Sequence, residues 1–283
     1  MKVLTIGNEK GGVGKTLFAV HIAAGLALRG KRVLLIDTDA QGNATKSLGI
    51  EKYPGFYDWL VRGVEPEKVI APIHPAIYGC AGDVPSLTPH ELASLDLDDQ
   101  AVRLHQRGLE VSRLHVIGSN IESYMIASAI GDETLFAQRV GELADRYDYA
   151  IIDTGPTPTL LHAAIYRGTD YMLYPTLCEF LSLDGLQESL LRLRGIRRLN
   201  GEQVQVAGII PNKHRASTLE HQENLRLLQE HFGAKVWPAV PLAIVWAETA
   251  SFGLPVFVHA PGHEATLVLW EILDRVESAT NGK

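Results

Sequence analysis

At 283 residues, 46% of them hydrophobic and 21% charged, the chain has the composition of a soluble globular protein, long enough for one large domain or two small ones. Its formal net charge of -7 counts against nucleic acid as a partner of the whole surface, since cations drive phosphate binding, but it leaves room for a local basic patch. Two distant cysteines, Cys80 and Cys178, with no C-x-x-C pair argue against disulfides or zinc, and no apolar run nears the roughly 18 residues of a membrane span, so a cytoplasmic protein is expected.

In chain order, "KVLTIG" (2–7) reads as a first strand and 15–29 as a helix, with Phe18, Ala19, Ile22, Ala23 and Leu26 at helical spacing and Gly30 as its stop. A second strand follows at "RVLLID" (32–37). The region 50–112 breaks this rhythm with six prolines and an acidic cluster at Asp96, Asp98 and Asp99. It is read as short helices and long loops on one face, not as a separate domain. Its aromatics Tyr53, Phe56, Tyr57 and Trp59 suggest a satellite core. Strands resume at 114–119, 149–154, 171–176 and 204–210, among helices at 132–146, 182–199, 217–231 and 263–277. The alternation predicts one α/β domain over 1–283, with a doubly wound, mainly parallel β-sheet flanked by helices. Because the chain begins at the first strand, no N-terminal helix-turn-helix domain is expected.

Between the first strand and the first helix stands "NEKGGVGKT". The strict G-x-x-x-x-G-K-[ST] pattern fails, since Glu9 occupies its first glycine position, but the strand–loop–helix context is what a phosphate cradle requires. Gly11, Gly12 and Gly14, with Val13 and Leu17, would present backbone N–H groups to phosphates. Lys15 would reach the terminal phosphates and the Thr16 hydroxyl would hold magnesium. The bland alternative is a glycine-rich turn with surface lysines.

"KGGVGKT" preceded by Lys10 resembles the deviant Walker A motif of the ParA/MinD family of P-loop ATPases, and the resemblance runs along nearly the whole chain. It implies ATP and Mg2+ as cofactors. It also implies a homodimer that sandwiches ATP, with Lys10 crossing to the partner subunit's nucleotide, as an arginine finger does.

Carboxylates at strand ends are the other requirement of phosphoryl transfer. "IDTDAQGNAT" offers Asp37 and Asp39, which the residues alone leave unranked. It resembles the family's switch I motif, with Ala40 where proline is usual, and that match assigns Asp39 to the attacking water and Asp37 to the neighbourhood of magnesium. Asp153 in "IIDTGPTPT" resembles Walker B and would hold magnesium through water. The run Gly155, Pro156, Thr157, Pro158 departs from the family's two adjacent prolines. Asn212 in "GIIPNKHR" stands where the family often places an adenine contact, and "AETASFGLPV" resembles a stretch near the base. Each aspartate, and Asn212, has a structural alternative as a cap or turn former.

Between 192 and 215, Arg192, Arg194, Arg197, Arg198, Lys213 and Arg215 face a single acid, Glu202. In ParA proteins basic residues in these places bind duplex DNA without sequence preference. The DNA-binding expectation rests on Arg194, Arg197, Arg198, Lys213 and Arg215, against a solvated helix face as the alternative. The resulting reading is a plasmid or chromosome partition ATPase associated with nucleoid DNA and stimulated by a ParB-like or cargo adaptor protein. An ATPase that positions a protein cargo, on the nucleoid or on a membrane as MinD does, is the second reading. The tail "WEILDRVESATNGK" lacks the basic amphipathic face that a bilayer would need. Reductase-type relatives need two cysteines converging on a dimer axis, which Cys80 and Cys178 do not suggest.

Overall fold

Val33–Asp37 and Tyr149–Asp153 are buried at every position, and so is Tyr171–Leu177. Strands covered on both faces need no polar alternation, which is why these segments read as continuous apolar runs. The computed structural model describes residues 1–51, 54–79, 100–200 and 204–282. Seven strands form one sheet: β1 (Lys2–Ile6), β2 (Val33–Asp37), β3 (Ile70–Pro72), β4 (Leu114–Ile117), β5 (Tyr149–Asp153), β6 (Tyr171–Leu177) and β7 (Gln205–Asn212). Their order is β3-β4-β2-β5-β1-β6-β7, and every pairing is parallel except β3 with β4.

The register aligns strand ends on one edge. Asp153 pairs with both Ile6 and Asp37, and Leu177 pairs with Asn212. From β1 the chain winds first towards β2 and later towards β6, so a crevice opens beyond the carboxyl ends of the central strands.

Helices cover both faces. On one, Leu4, Ile6 and Leu35 pack with Phe18, Ile22 and Leu26 of α1 (Lys15–Leu28) and with Leu269, Ile272 and Leu273 of the helix Glu264–Asn281. On the other, Leu34, Ile36, Ile152 and Tyr174 pack with Phe136, Ile165, Phe56 and Trp59. Of the aromatics expected to form a satellite under loops, Phe56, Tyr57 and Trp59 are part of a main core layer, because the helix Phe56–Leu60 lies on the sheet face, and Tyr53 lies outside the described residues.

Other differences have local causes. The expected helix 132–146 contracts to Leu135–Gly141, and 142–146 continues in tighter turns, with Leu143 N–H donating to the Val140 carbonyl at 3.1 Å. The strand β3 escaped notice because its three residues end in Pro72, which an edge strand tolerates. The helices Leu160–Arg167 and Val245–Phe252 are also additions. At the far edge, β7 is flanked by isolated parallel bridges, Ile209 with Val236 and His214 with Pro241. Cys178 is buried, which pushes its thiol up to about 11, whereas Cys80 and the acidic cluster lie outside the described residues.

Gly208 offers a test of the packing. A Cβ there would fall within the Trp237 indole, whereas one at Gly195 would meet open space. Gly208→Ala is expected to cost about 1–3 kcal/mol in urea denaturation. Gly195→Ala, on a helix surface, should gain up to about 1 kcal/mol.

Candidate nucleotide site

Where β1 ends, the backbone is anchored from beneath. Gly7 N–H donates to the Leu173 carbonyl at 3.0 Å, and the Asn8 amide donates to the Pro175 carbonyl at 2.8 Å. Asn8 also accepts from Lys10 N–H at 2.9 Å, which turns the chain into its loop. Gly12 and Gly14 then adopt φ of 73° and 103°, a region that side chains rarely enter, and Gly14 opens α1. No acidic residue stands in the first turn of α1, so the positive end of its dipole faces the loop uncompensated.

Lys15, only 7% exposed, donates from Nζ to the Lys10 carbonyl at 3.0 Å. Burial lowers its pKa, while Asp153 and Asp39 oppose that shift. Leu17 and Lys15 line one cavity, and Val13 is buried beneath the loop with its carbonyl accepting from Asn212 Nδ2 at 2.8 Å. Asn212 thereby clamps the loop, and a Cβ on Gly14 would collide with its amide. Its oxygen accepts from Lys213 N–H at 2.8 Å, so the expected base contact draws on the remaining amide hydrogen and lone pair.

The three carboxylates have different surroundings. Asp37, fully buried, accepts from Thr45 N–H at 2.9 Å, from Thr45 Oγ1 at 2.7 Å and from Asp39 N–H at 3.2 Å. It fastens the helix Asn43–Ser47, and burial pushes its carboxyl up to about 6 against the pull of those bonds. Asp39 lines the cavity and accepts from Gln41 N–H at 3.0 Å. Asp153 is fully buried, and neither of its oxygens accepts a hydrogen bond. Burial raises its pKa well above the carboxylate range and Asp37 adds to this, while the neighbouring Thr16 hydroxyl pulls the other way. An unpaired buried carboxylate beside a hydroxyl and a lysine fits a divalent cation, held by Thr16 and by Asp153 through water. Asp37 is committed to Thr45 and can act on such an ion only at longer range.

The cavity has a volume of 740 Å³, and Gly11, Gly12, Gly14, Lys15, Thr16 and Asp39 line it. Its lining also includes Tyr124 and His162, which the sequence did not disclose. Tyr124 accepts from Gln41 Nε2 at 2.6 Å across the mouth. His162 follows Thr159 by three residues, a capping-box spacing that could have marked the start of the helix Leu160–Arg167.

Lys10 does not line this cavity. Its Nζ lies 3.9 Å from the Glu179 carboxylate, and its neighbourhood rests on the helix Phe180–Asn200. Ser189 Oγ accepts from Glu9 N–H at 3.2 Å, and Glu9 forms a forked ion pair with Arg192. Arg192 is therefore tied to the phosphate loop. Arg194, Lys213 and Arg215 are exposed, and the side chains of Arg197 and Arg198 lie outside the described residues. Lys213, with φ of 52°, is the one non-glycine residue in the left-handed region among the described residues.

Asp37 and Asp153 both hold protons more readily folded than unfolded. The stability they contribute is present below the ordinary carboxylate range and is lost as pH rises through the raised folded values. Taken alone, the two aspartates make the nucleotide-free protein lose stability between about pH 4 and pH 7, while buried His21, lowered to about 4, works in the opposite sense over the same range. Asp153→Asn should flatten that slope and gain about 1–3 kcal/mol at neutral pH, while abolishing the dependence of ATP binding on magnesium. Urea titrations across pH and nucleotide titrations with and without Mg2+ read the two effects.

The AAA domain model AAA_31 matches residues 1–206. The chromosome-partitioning ATPase Soj of Thermus thermophilus is 29% identical over 281 residues, covering 98% of this chain and 97% of its own length. The sporulation initiation inhibitor protein Soj of Bacillus subtilis is 28% identical over 284 residues, 99% of each chain. Among solved structures, an ATP complex of McdA from Cyanothece has a TM-score of 0.75 at 20% identity, covering 100% of this chain and 97% of that one, a likeness of fold. With well over half of its length matched, the chain belongs to the AAA_31 family and is a P-loop ATPase of the ParA/MinD type.

Proposed function

We propose that this ATPase binds ATP–Mg2+, pairs with a second copy of itself across the nucleotide, and in that state holds nonspecific duplex DNA, which it releases when a ParB-like or cargo adaptor protein stimulates hydrolysis. Partition of plasmid or chromosomal DNA is the resulting task, carried out on the nucleoid in the cytoplasm. No described helix is long and apolar enough to cross a membrane.

The observation that carries the reading is the division between the two lysines. Lys15 occupies the cradle, while Lys10 stands outside the cavity near Glu179, suited to a nucleotide other than its own. Tyr124, Met125 and Leu160 are more than half exposed, and Tyr124 stands at the mouth of the site, which supports a face that meets another copy. Arg194, Lys213 and Arg215 give cations whose number would double on pairing, making DNA binding steeply dependent on salt.

Anisotropy of a random-sequence duplex at fixed salt, without nucleotide, with ADP and with ATP, tests this. Binding is expected with ATP alone, and it should be lost in Lys10→Ala and in the Arg197/Arg198 double alanine. ATP hydrolysis without DNA binding in any state would overturn the DNA reading and redirect the search to protein cargoes or membranes.

A further inference from the structure

The segment from Gly155 to Thr159 reads Gly-Pro-Thr-Pro-Thr, so Pro156 and Pro158 remove two backbone N–H donors from a loop that lines the nucleotide cavity. A loop short of donors cannot easily fix its own carbonyls. Here a side chain takes over. His162 Nε2 lies 3.1 Å from the Gly155 carbonyl, while Nδ1 lies 3.3 Å from Thr159 N and 3.2 Å from Thr159 Oγ1. Because a backbone N–H only donates, Nδ1 is the acceptor, and because a carbonyl only accepts, Nε2 carries the proton. The ring is therefore a neutral brace with one tautomer, spanning the loop from its first residue to its last. Burial holds the imidazole below its ordinary pKa, in keeping with that neutral form.

What the brace fixes is close to the chemistry. Gly155 abuts Asp39: a Cβ on it would stand 3.5 Å from Asp39 Cγ and 3.7 Å from each carboxylate oxygen. Asp39 is the carboxylate that faces the cavity, whereas Asp37 is committed to Thr45. We propose that His162 is a positioning residue for ATP hydrolysis, acting through the Gly155 carbonyl to hold the proline-bearing loop against Asp39. It transfers no proton and need not touch the phosphates. Its effect falls on the geometry in which Asp39 and the loop meet the terminal phosphate, and so on turnover more than on binding.

Steady-state and single-turnover ATP hydrolysis by the full chain with Mg2+ is the test, comparing His162→Ala, His162→Phe and His162→Gln. A glutamine amide carries both functions, N–H donors on its nitrogen and an acceptor oxygen. The alanine and phenylalanine variants are expected to lower kcat about tenfold with KM for ATP within about twofold, and glutamine should recover most of the loss. ADP affinity and the thermal midpoint report folding, and equal ADP affinity across the three makes the comparison valid even if alanine lowers the midpoint. Unchanged kcat in alanine and phenylalanine would overturn the proposal. So would a glutamine variant as slow as alanine, or a loss confined to KM.

Discussion

Two carboxylates, Asp37 and Asp153, stand opposite each other on neighbouring parallel strands with no exposure to water. In such surroundings a pair of like charges is strongly unfavourable unless each is given a partner. Asp37 has one, because Thr45 offers both its backbone N–H and its hydroxyl, so the helix Asn43–Ser47 is drawn onto the strand end. Asp153 has none among the described residues and keeps only the neighbourhood of Thr16 and Lys15. The fold thus separates the two by hydrogen bonding: one aspartate fastens the architecture and the other keeps both oxygens open, as the proposed cation site would require. The lowered pKa of Lys15 belongs to the same balance, since the effect of its burial is opposed by Asp153 and Asp39.

Much of this was legible in the sequence, for a physical reason. Strands buried on both faces show as continuous apolar runs, and a phosphate loop must place glycines where φ is positive, so β1, β2, β5 and the turn to α1 were readable from residue types alone. What was hidden depends on pairs far apart in the chain. Asn212, at the end of β7, stands where the family often places a base contact, but the sequence gives no sign that its amide also reaches the Val13 carbonyl, 199 residues away. Arg192 reads as one cation in a basic cluster, yet Glu9, 183 residues distant, takes its guanidinium. His162 drew no notice because its one signal, the spacing of three from Thr159, marks a helix start and says nothing of the Gly155 carbonyl that the ring also reaches.

The helix Phe180–Asn200 gathers several of these long-range ties. Gly185 lies against Lys10, Ser189 receives Glu9 N–H and Arg192 grips the Glu9 carboxylate, three positions spaced to share one face of a helix. The exposed Arg194 lies about half a turn away from Arg192. One rigid element therefore supports the front of the phosphate loop on one side and carries a basic residue on another. A shift of the loop on nucleotide binding has a direct mechanical route to that surface.

The margins of the sheet have a consequence of their own. The strand β3 is three residues long and ends in proline, and β7 is flanked along its outer side by the bridges to Val236 and Pro241. Neither border offers a long row of open backbone donors and acceptors, so strand-by-strand addition of another molecule finds little template at either end. The pairing proposed for this chain would therefore rest on side chains and bound ligand, contacts that can be made and broken with each turnover, and not on a shared backbone ladder that would lock copies into a fibre.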